Sequence, residues 1–204
     1  MSLQSVQNQV YNKITKHKRG KLFFPSDFSG AGSVLAVNTA LSRLQKEQVI
    51  ERIAQGIYLY PKKDPLFGIL YPSTEEIATH IAKRDHARIM PTGAAALQKL
   101  GLSTQVPMNL VYLTDGAPRK IHIGKQTITF KPTTAKKLST KGPVSSLVIQ
   151  ALQELGKAKL DNELQTRIIQ ILETESVKNL EHDAKLAPAW ISEILDLSVK
   201  NRTL

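Results

Sequence analysis

Cysteine is absent from the 204 residues. Disulfides, thiolate metal sites and cysteine nucleophiles are thereby excluded, and a reducing, cytoplasmic setting is expected. No run of about 18 apolar residues occurs, so no membrane span is expected. The opening MSLQSVQNQVYNK has no apolar h-region, which argues against a secretory signal. No fixed-period repeat and no low-complexity tract is visible. What is present is ordinary for a folded protein: 41% apolar and 22% charged residues, enough for one or two buried cores.

The charge is not ordinary. The chain carries a formal net charge of +11, which points to a polyanionic partner, most often nucleic acid. Residues 1–64 hold ten Lys/Arg against four Asp/Glu, residues 65–140 ten against four, and residues 141–204 eight against nine. A polyanion should therefore meet the first two-thirds of the chain, leaving the last third as a neutral packing or partner module.

Apolar periodicity predicts an α+β chain. Leu3, Val6, Val10 and Ile14 predict a helix over 3–17, followed by the basic stretch Lys16, Lys18, Arg19 and Lys21 around Gly20. Ser26 is the expected cap of a short helix, and Gly30-Ala31-Gly32 is a turn. Ser33 is the candidate N-cap of a helix over 33–48. On it Val37, Ala40, Leu41 and Leu44 face inward with Val34 flanking them, and Thr39, Ser42, Arg43 and Lys46 face outward. VIERI and IYLY, joined at Gln55-Gly56, read as a hairpin ended by Pro61. Helix, short helix, turn, helix and hairpin in this order are the pattern of a winged helix-turn-helix.

Residues 63–140 form a mixed α/β region. It has helices over 73–84 and 91–101, then strands over 110–114, 120–123 and 127–131 that are expected to make an antiparallel meander. TTAKKLSTKGP (133–143), which carries Lys136, Lys137 and Lys141, reads as a basic linker, with a second nucleic-acid contact as the alternative. Residues 141–204 are expected to be all-helical, with a cap at Asp161, a short helix over 177–184 and a last helix opened by Pro188. The expected domains are 1–62, a winged helix-turn-helix, and 63–204, an effector domain split into 63–140 and 141–204.

RGKLFFPSDF (19–28), ALSRLQKEQVIERIAQGIYLYP (40–61) and GAAALQKLGLSTQVPMNLVYLTDGAPRKIHIG (93–124) together resemble the AbiEi-type antitoxin and transcriptional regulator family. ALSRL followed by GIYLYP marks winged helices in general, whereas GLSTQVP…VYLTDG is more particular to this family. The resemblance implies an N-terminal winged helix that binds operator DNA and represses its own operon. It also implies a C-terminal region with antitoxin activity, paired with a nucleotidyltransferase-like toxin in type IV toxin–antitoxin systems of abortive infection, where a stable direct complex is thought unnecessary. Many relatives carry a cation before the glycine of the wing turn. This chain has Gln55 there, so the wing is less basic, with Arg52 its nearest cation.

The DNA-binding set expected from this reading is Ser33, Thr39, Ser42, Arg43, Lys46, Arg52, Gln55, Lys18, Arg19 and Lys21. Arg43 suits a bidentate contact to guanine, Thr39 and Ser42 suit base edges or phosphates, Lys46 suits a phosphate, and Leu35 suits a neighbouring turn or a thymine methyl. The plain alternatives are a solvated helix face for Arg43 and Lys46 and a solvated turn for residues 16–21. Tyr58 and Tyr60 read as sheet packing. Double-stranded operator DNA carrying an inverted repeat is the expected partner; the alternative is a protein-interaction module that binds a toxin directly and has only non-specific DNA affinity.

Nothing in the sequence lays out an active site. His17, His80, His86, His122 and His182 form no HxxxH or HxH pair, so no metal is expected. There is no P-loop and no GxSxG elbow. Asp115 precedes a strand ending in Lys131, but Thr129 stands where an acid–acid–lysine nuclease would place its second acid. Glu75 and Glu76 are adjacent and diverge around their helix. A non-enzymatic protein without cofactor is expected.

Overall fold

The computed structural model describes residues 5–203. The fold is α+β, and the chain divides into two compact units. The first takes the residues up to His80 together with His122–Gly124, and the second takes Ile81–Ile121 and Lys125 onward.

In the first unit α1 (Val6–Thr15) is capped by Ser5, whose Oγ accepts from the Asn8 amide at 3.2 Å. Its Val10 and Ile14 are buried; Leu3, the expected first apolar position, lies outside the described residues. The short strand β1 (Leu22–Phe23) leads into a 3-10 turn over Pro25–Phe28. Ser26 does not cap that turn. The Asp27 carboxylate does so instead, accepting from the Phe24 amide at 2.8 Å, because Pro25 sets the first residue of the turn and brings Asp27 back over its start. Then come α2 (Val34–Lys46), β2 (Glu51–Ala54) and β3 (Ile57–Leu59). The three strands are antiparallel in the order β1-β3-β2, so β3, buried at all three positions, is central. Its Tyr58 joins Phe23, Phe28, Val37, Leu41, Leu44 and Ile50 in one core, together with Tyr60 and the two valine and isoleucine side chains of α1. Directly after β3 the chain forms a second hairpin, β4 (Lys62–Asp64) and β5 (Gly68–Leu70), which stands as a separate two-stranded sheet.

The helix α3 (Thr74–Arg84) starts in the first unit and ends in the second. A capping box opens it: the Ser73 amide donates to Glu76 at 2.7 Å, and the Glu76 amide donates to Ser73 Oγ at 3.2 Å. These bonds to Ser73 hold the Glu76 carboxyl below its ordinary range.

After α3 come β6 (Ile89–Pro91), α4 (Ala94–Lys99), β7 (Asn109–Thr114), β8 (Arg119–Ile123), whose last two residues are grouped with the first unit, and β9 (Gln126–Pro132). The sheet order is β6-β7-β9-β8, and β7 pairs with β9 in parallel. The expected antiparallel meander is therefore wrong. Short turns suggest sequential neighbours, but burial decides the order. β9 buries the consecutive residues Thr127 and Ile128 as well as Phe130, which requires cover on both faces and a central place. β8 alternates exposed Lys120 and His122 with half-buried neighbours, and it takes the edge.

The LTDG segment at the end of β7 is a structural tie. Thr114, buried, donates through Oγ1 to the Arg88 carbonyl at 2.9 Å and accepts from the Gly116 amide at 3.0 Å. Asp115 accepts from the Arg88 amide at 2.7 Å and from its Nε at 2.8 Å, and the Arg88 side chain and backbone hold its carboxyl below the usual value.

Residues 133–143 are not a linker. They make successive turns, bury Leu138, and bury Gly142 just before Pro143. The partner that pins them is Asp183, forty residues away and fully buried. Its carboxylate accepts from the amides of Lys141 (2.8 Å) and Gly142 (2.9 Å), from Ser145 Oγ (2.5 Å) and from His182 Nδ1 (2.8 Å). Glu175 adds a second buried carboxylate, accepting from the Val144 amide at 2.9 Å. Together they cap α5 (Pro143–Leu155). The remaining helices follow the expected pattern: α6 (Asn162–Leu172) capped by Asp161, α7 (Val177–Ala184) capped by Ser176, and α8 (Ala189–Thr203) just after Pro188. Their core contains Val148, Leu152, Ile168, Leu172, Leu180 and Leu195. Among the described residues no helix is long and apolar enough to cross a membrane.

Candidate nucleic-acid interface

The helix α2 is fixed at both ends by local chemistry. Ser33 Oγ accepts from the Ala36 amide at 3.2 Å. At the other end Gln48 takes a left-handed φ of 58°, its amide donates to the Gln45 carbonyl at 3.0 Å, and the Val49 amide donates to the Leu44 carbonyl at 2.9 Å. This 6→1 and 5→2 pair is the Schellman arrangement, which is usually built on glycine. Val37, Ala40, Leu41 and Leu44 are buried at 3% exposure or less, so the opposite face is set by geometry.

That opposite face carries Leu35, Thr39, Ser42 and Lys46 at spacings of four, three and four residues, all exposed. Asn38 and Arg43 flank the stripe, one on each side, and are exposed too. Asn38 was not among the expected contacts. Its signal was in the sequence, four residues before Ser42 and off the buried stripe. Val34, expected beside the core, is instead 75% exposed, and with Leu35 at 77% it makes an apolar start to an otherwise polar face. The reason is its position as first residue of the helix, where the core-facing turn has not yet begun.

The structure brings together some of the expected residues and leaves others apart. Ser33, Thr39 and Arg43 line one cleft of about 370 Å³ with Gln7 of α1. Thr39 Oγ1 donates to the Leu35 carbonyl at 2.9 Å, which commits its proton and leaves its oxygen as an acceptor. Arg19 lies elsewhere: its guanidinium sits 4.7 Å from the Tyr60 ring centroid and donates to the Pro61 carbonyl at 3.1 Å. Lys21 Nζ donates to the His17 ring at 3.1 Å from Nδ1 and stands over the Phe23 ring. These two cations of the 16–21 stretch are thus engaged within the fold, while Lys18 is exposed in the turn before Gly20. Arg52 is exposed on β2 opposite Tyr58, and Gln55 is exposed at the β2–β3 turn, where Gly56 supplies a φ of 69°.

No group of three or more His, Asp or Glu among the described residues could hold a metal ion. Asp183 and Ser145 are both fully buried. Burial pushes the Asp183 carboxyl up, but the bonds from Ser145, His182, Lys141 and Gly142 outweigh it and hold the group below its ordinary value.

Among solved structures, the chain resembles at low identity the crystal structure of RV2827C protein from Mycobacterium tuberculosis. The two are 12% identical with a TM-score of 0.45, over 95% of this chain and 81% of that one. No curated protein shows significant sequence similarity to it. The sequence profile of DUF6088, described as a family of unknown function, matches residues 9–180. With most of its length inside that match, the chain belongs to the DUF6088 family.

Proposed function

We propose that this chain is a DNA-binding transcriptional autorepressor that also acts as an antitoxin against a nucleotidyltransferase-like toxin encoded beside it. The observation that carries the DNA reading is the outward stripe of α2: hydroxyl, amide and cationic side chains stand exposed on a rod whose opposite face is locked into a core. Three further features support it. The first unit follows the order helix, strand, 3-10 turn, helix, hairpin, with its strands ordered β1-β3-β2, as in a winged helix-turn-helix. The net charge is +11, concentrated in the first two-thirds of the sequence. The segments over 19–28, 40–61 and 93–124 resemble AbiEi-type regulators.

In this reading α2 enters the major groove. Ser42 and Asn38 reach base edges, Leu35 meets a thymine methyl, and Lys46 and Arg43 contact phosphate or guanine. Arg43 stands in the last turn of α2 and lines one cleft with Gln7 of α1, on the side of the helix that flanks the outward stripe. Arg19 and Lys21, held by Tyr60, Pro61 and His17, contribute field rather than direct grip.

The antitoxin role rests on the sequence resemblance. Both roles are tested in one strain carrying the neighbouring toxin gene and a reporter behind the upstream promoter. Ser42→Ala/Lys46→Ala is expected to lose repression and keep rescue from the toxin. Loss of neither would refute the assignment of α2, and absence of rescue by the unaltered chain would refute the antitoxin role.

A further inference from the structure

Charge in the second unit is unevenly divided. Residues 81–141 hold eleven Lys/Arg against two Asp/Glu, whereas residues 142–204 hold seven against nine. Both carboxylates of the basic stretch are spent within the fold: Asp115 accepts from Arg88, and Asp85 pairs with Arg84 and Arg119. The carboxylates that reach this stretch from the helices, Asp183 and Glu175, are buried and accept from the amides of Lys141, Gly142 and Val144. Among the described residues 81–141 no carboxylate is left over for the exposed Lys120, Lys131, Lys136 and Lys137. A surplus of this kind attracts a polyanion.

These four lysines gather at one end of the four-stranded sheet. β7 and β9 run parallel, so the segments that follow them emerge side by side, and the Thr133 amide donates to the Thr114 carbonyl at 2.9 Å. Arg88 straps the two segments together, its Nε donating to Asp115 and its Nη1 to the Leu138 carbonyl at 3.3 Å. Lys136 and Lys137 sit in the turns so held. The Lys137 amide donates to the Thr134 carbonyl and the Ser139 amide to the Lys136 carbonyl, each at 3.1 Å, and Leu138 is buried beside them. In the strands, Arg119 stands over the Phe130 ring, so the next residues, Lys120 and Lys131, share the opposite face of the sheet at this same end. The backbone that carries the charges is therefore fixed before any ligand arrives.

We infer that this end of the sheet is a second nucleic-acid surface, on which Lys120, Lys131, Lys136 and Lys137 bind the phosphates of duplex DNA without reading its sequence. Three observations choose the occupant. The guanidinium groups that could fork onto guanine, those of Arg84, Arg88 and Arg119, are engaged by Asp85 and Asp115. What remains is ammonium groups, point charges suited to phosphate. The aromatic side chains of the unit are withheld: Tyr112 and Phe130 are buried and Trp190 is half-buried, so unpaired bases find no stacking platform and a paired helix is favoured over a single strand. The exposed Val106 and Met108 precede β7 and lie at the far end of the sheet, so an acidic protein would find no apolar anchor beside the lysines. That the duplex is DNA and not RNA rests on the reading of α2, since a chain held on its operator meets the flanking DNA at high effective concentration.

The test uses the full chain and a duplex DNA of unrelated sequence, so it needs no operator. Binding is followed by fluorescence anisotropy over a series of salt concentrations for the wild type and for Lys131→Gln/Lys136→Gln/Lys137→Gln, with thermal melting as the control for folding. Loss of three phosphate contacts should make the slope of log K against log salt shallower by about 2–3 and lower the affinity at least about tenfold near 100 mM salt. The same three lysines changed to arginine should keep the wild-type slope, because charge is what the phosphates meet. Ser42→Ala/Lys46→Ala, which removes one cation from α2, should change the slope by only about 1. An unchanged slope in the glutamine variant overturns the proposal and leaves the reading of α2 standing. An arginine variant that behaves like the glutamine one also overturns it, as does a duplex RNA of equal length held at least about tenfold more tightly than the DNA. Failure of the α2 reading gives a different result: operator and unrelated duplex are then bound equally by the wild type, whatever the three lysines do.

Discussion

Replacing Asp183 by Asn probes the second unit where its stability is most concentrated. The carboxylate is fully buried and accepts four bonds, two from the backbone amides of Lys141 and Gly142 and two from Ser145 and His182. An asparagine keeps the shape but offers one acceptor oxygen and one amide nitrogen. Whichever way it turns, the nitrogen faces a backbone N–H, that of Lys141 or of Gly142. Leaving one such donor unpaired costs about 1–3 kcal/mol, and the bonds that remain lose their charge assistance. Removing a buried charge returns part of this. The net expectation is a loss of about 2–4 kcal/mol, or a fall of roughly 6–15 °C in the melting of the second unit. Acid dependence gives an independent check. The bonds hold the folded carboxyl below the ordinary aspartate value, so its contribution is present above that ordinary value and is lost as pH falls through the lowered folded one. Asp183→Asn should therefore flatten the acid limb of stability against pH, measured by calorimetry or urea unfolding between about pH 2 and 7. A variant within about 0.5 kcal/mol of wild type, with its acid limb unchanged, would refute the capping role.

Three substitutions extend the same reasoning. At Gly142 an added Cβ would lie 2.2 Å from Ser145 Oγ and 2.6 Å from Glu175 Oε2, so Gly142→Ala should cost about 1–3 kcal/mol in urea unfolding; a neutral result would mean that residues 141–145 are held more loosely than the distances state. Thr114→Val removes the bonds to the Arg88 carbonyl and the Gly116 amide and is expected to lower stability by about 1–3 kcal/mol, read as a drop in melting temperature without change in helix content. In the opposite direction, Gln48→Gly relieves a left-handed residue at the end of α2 and should stabilise the first unit by about 0.5–1 kcal/mol; destabilisation would show that the Gln48 side chain makes contacts that outweigh its backbone strain.

How much of this was legible depended on how local the cause was. The faces of α2 follow from the spacing of Val37, Ala40, Leu41 and Leu44, and the outward residues follow by exclusion; the exposure of Val34, at the first helical position, is what the spacing does not show. Ser33, Asp161 and Pro188 marked helix starts because a cap acts within three residues. The order of β7, β8 and β9 was not legible, since it follows from which strand is covered on both faces, a property of the assembled sheet. The turns over 133–143 resemble a linker in composition, and only Asp183 and Glu175, more than thirty residues on, make them rigid. The hairpin at 62–70 has strands of three residues, too short to show a period. At the candidate site, nothing in KHKRGK announces that Arg19 is spent on Tyr60 and Pro61, which lie some forty residues away.

The central claim is that the outward face of α2 reads a DNA duplex. It is tested most directly by footprinting the full chain on the DNA upstream of its own gene, with excess unrelated duplex present, for the wild type and for Ser42→Ala/Lys46→Ala of unchanged melting temperature. The account predicts a protected inverted repeat for the wild type. For the variant it predicts an affinity lower by about tenfold or more, as expected for losing one base-edge and one phosphate contact. Equal protection by both proteins, or protection that unrelated duplex abolishes, would contradict it.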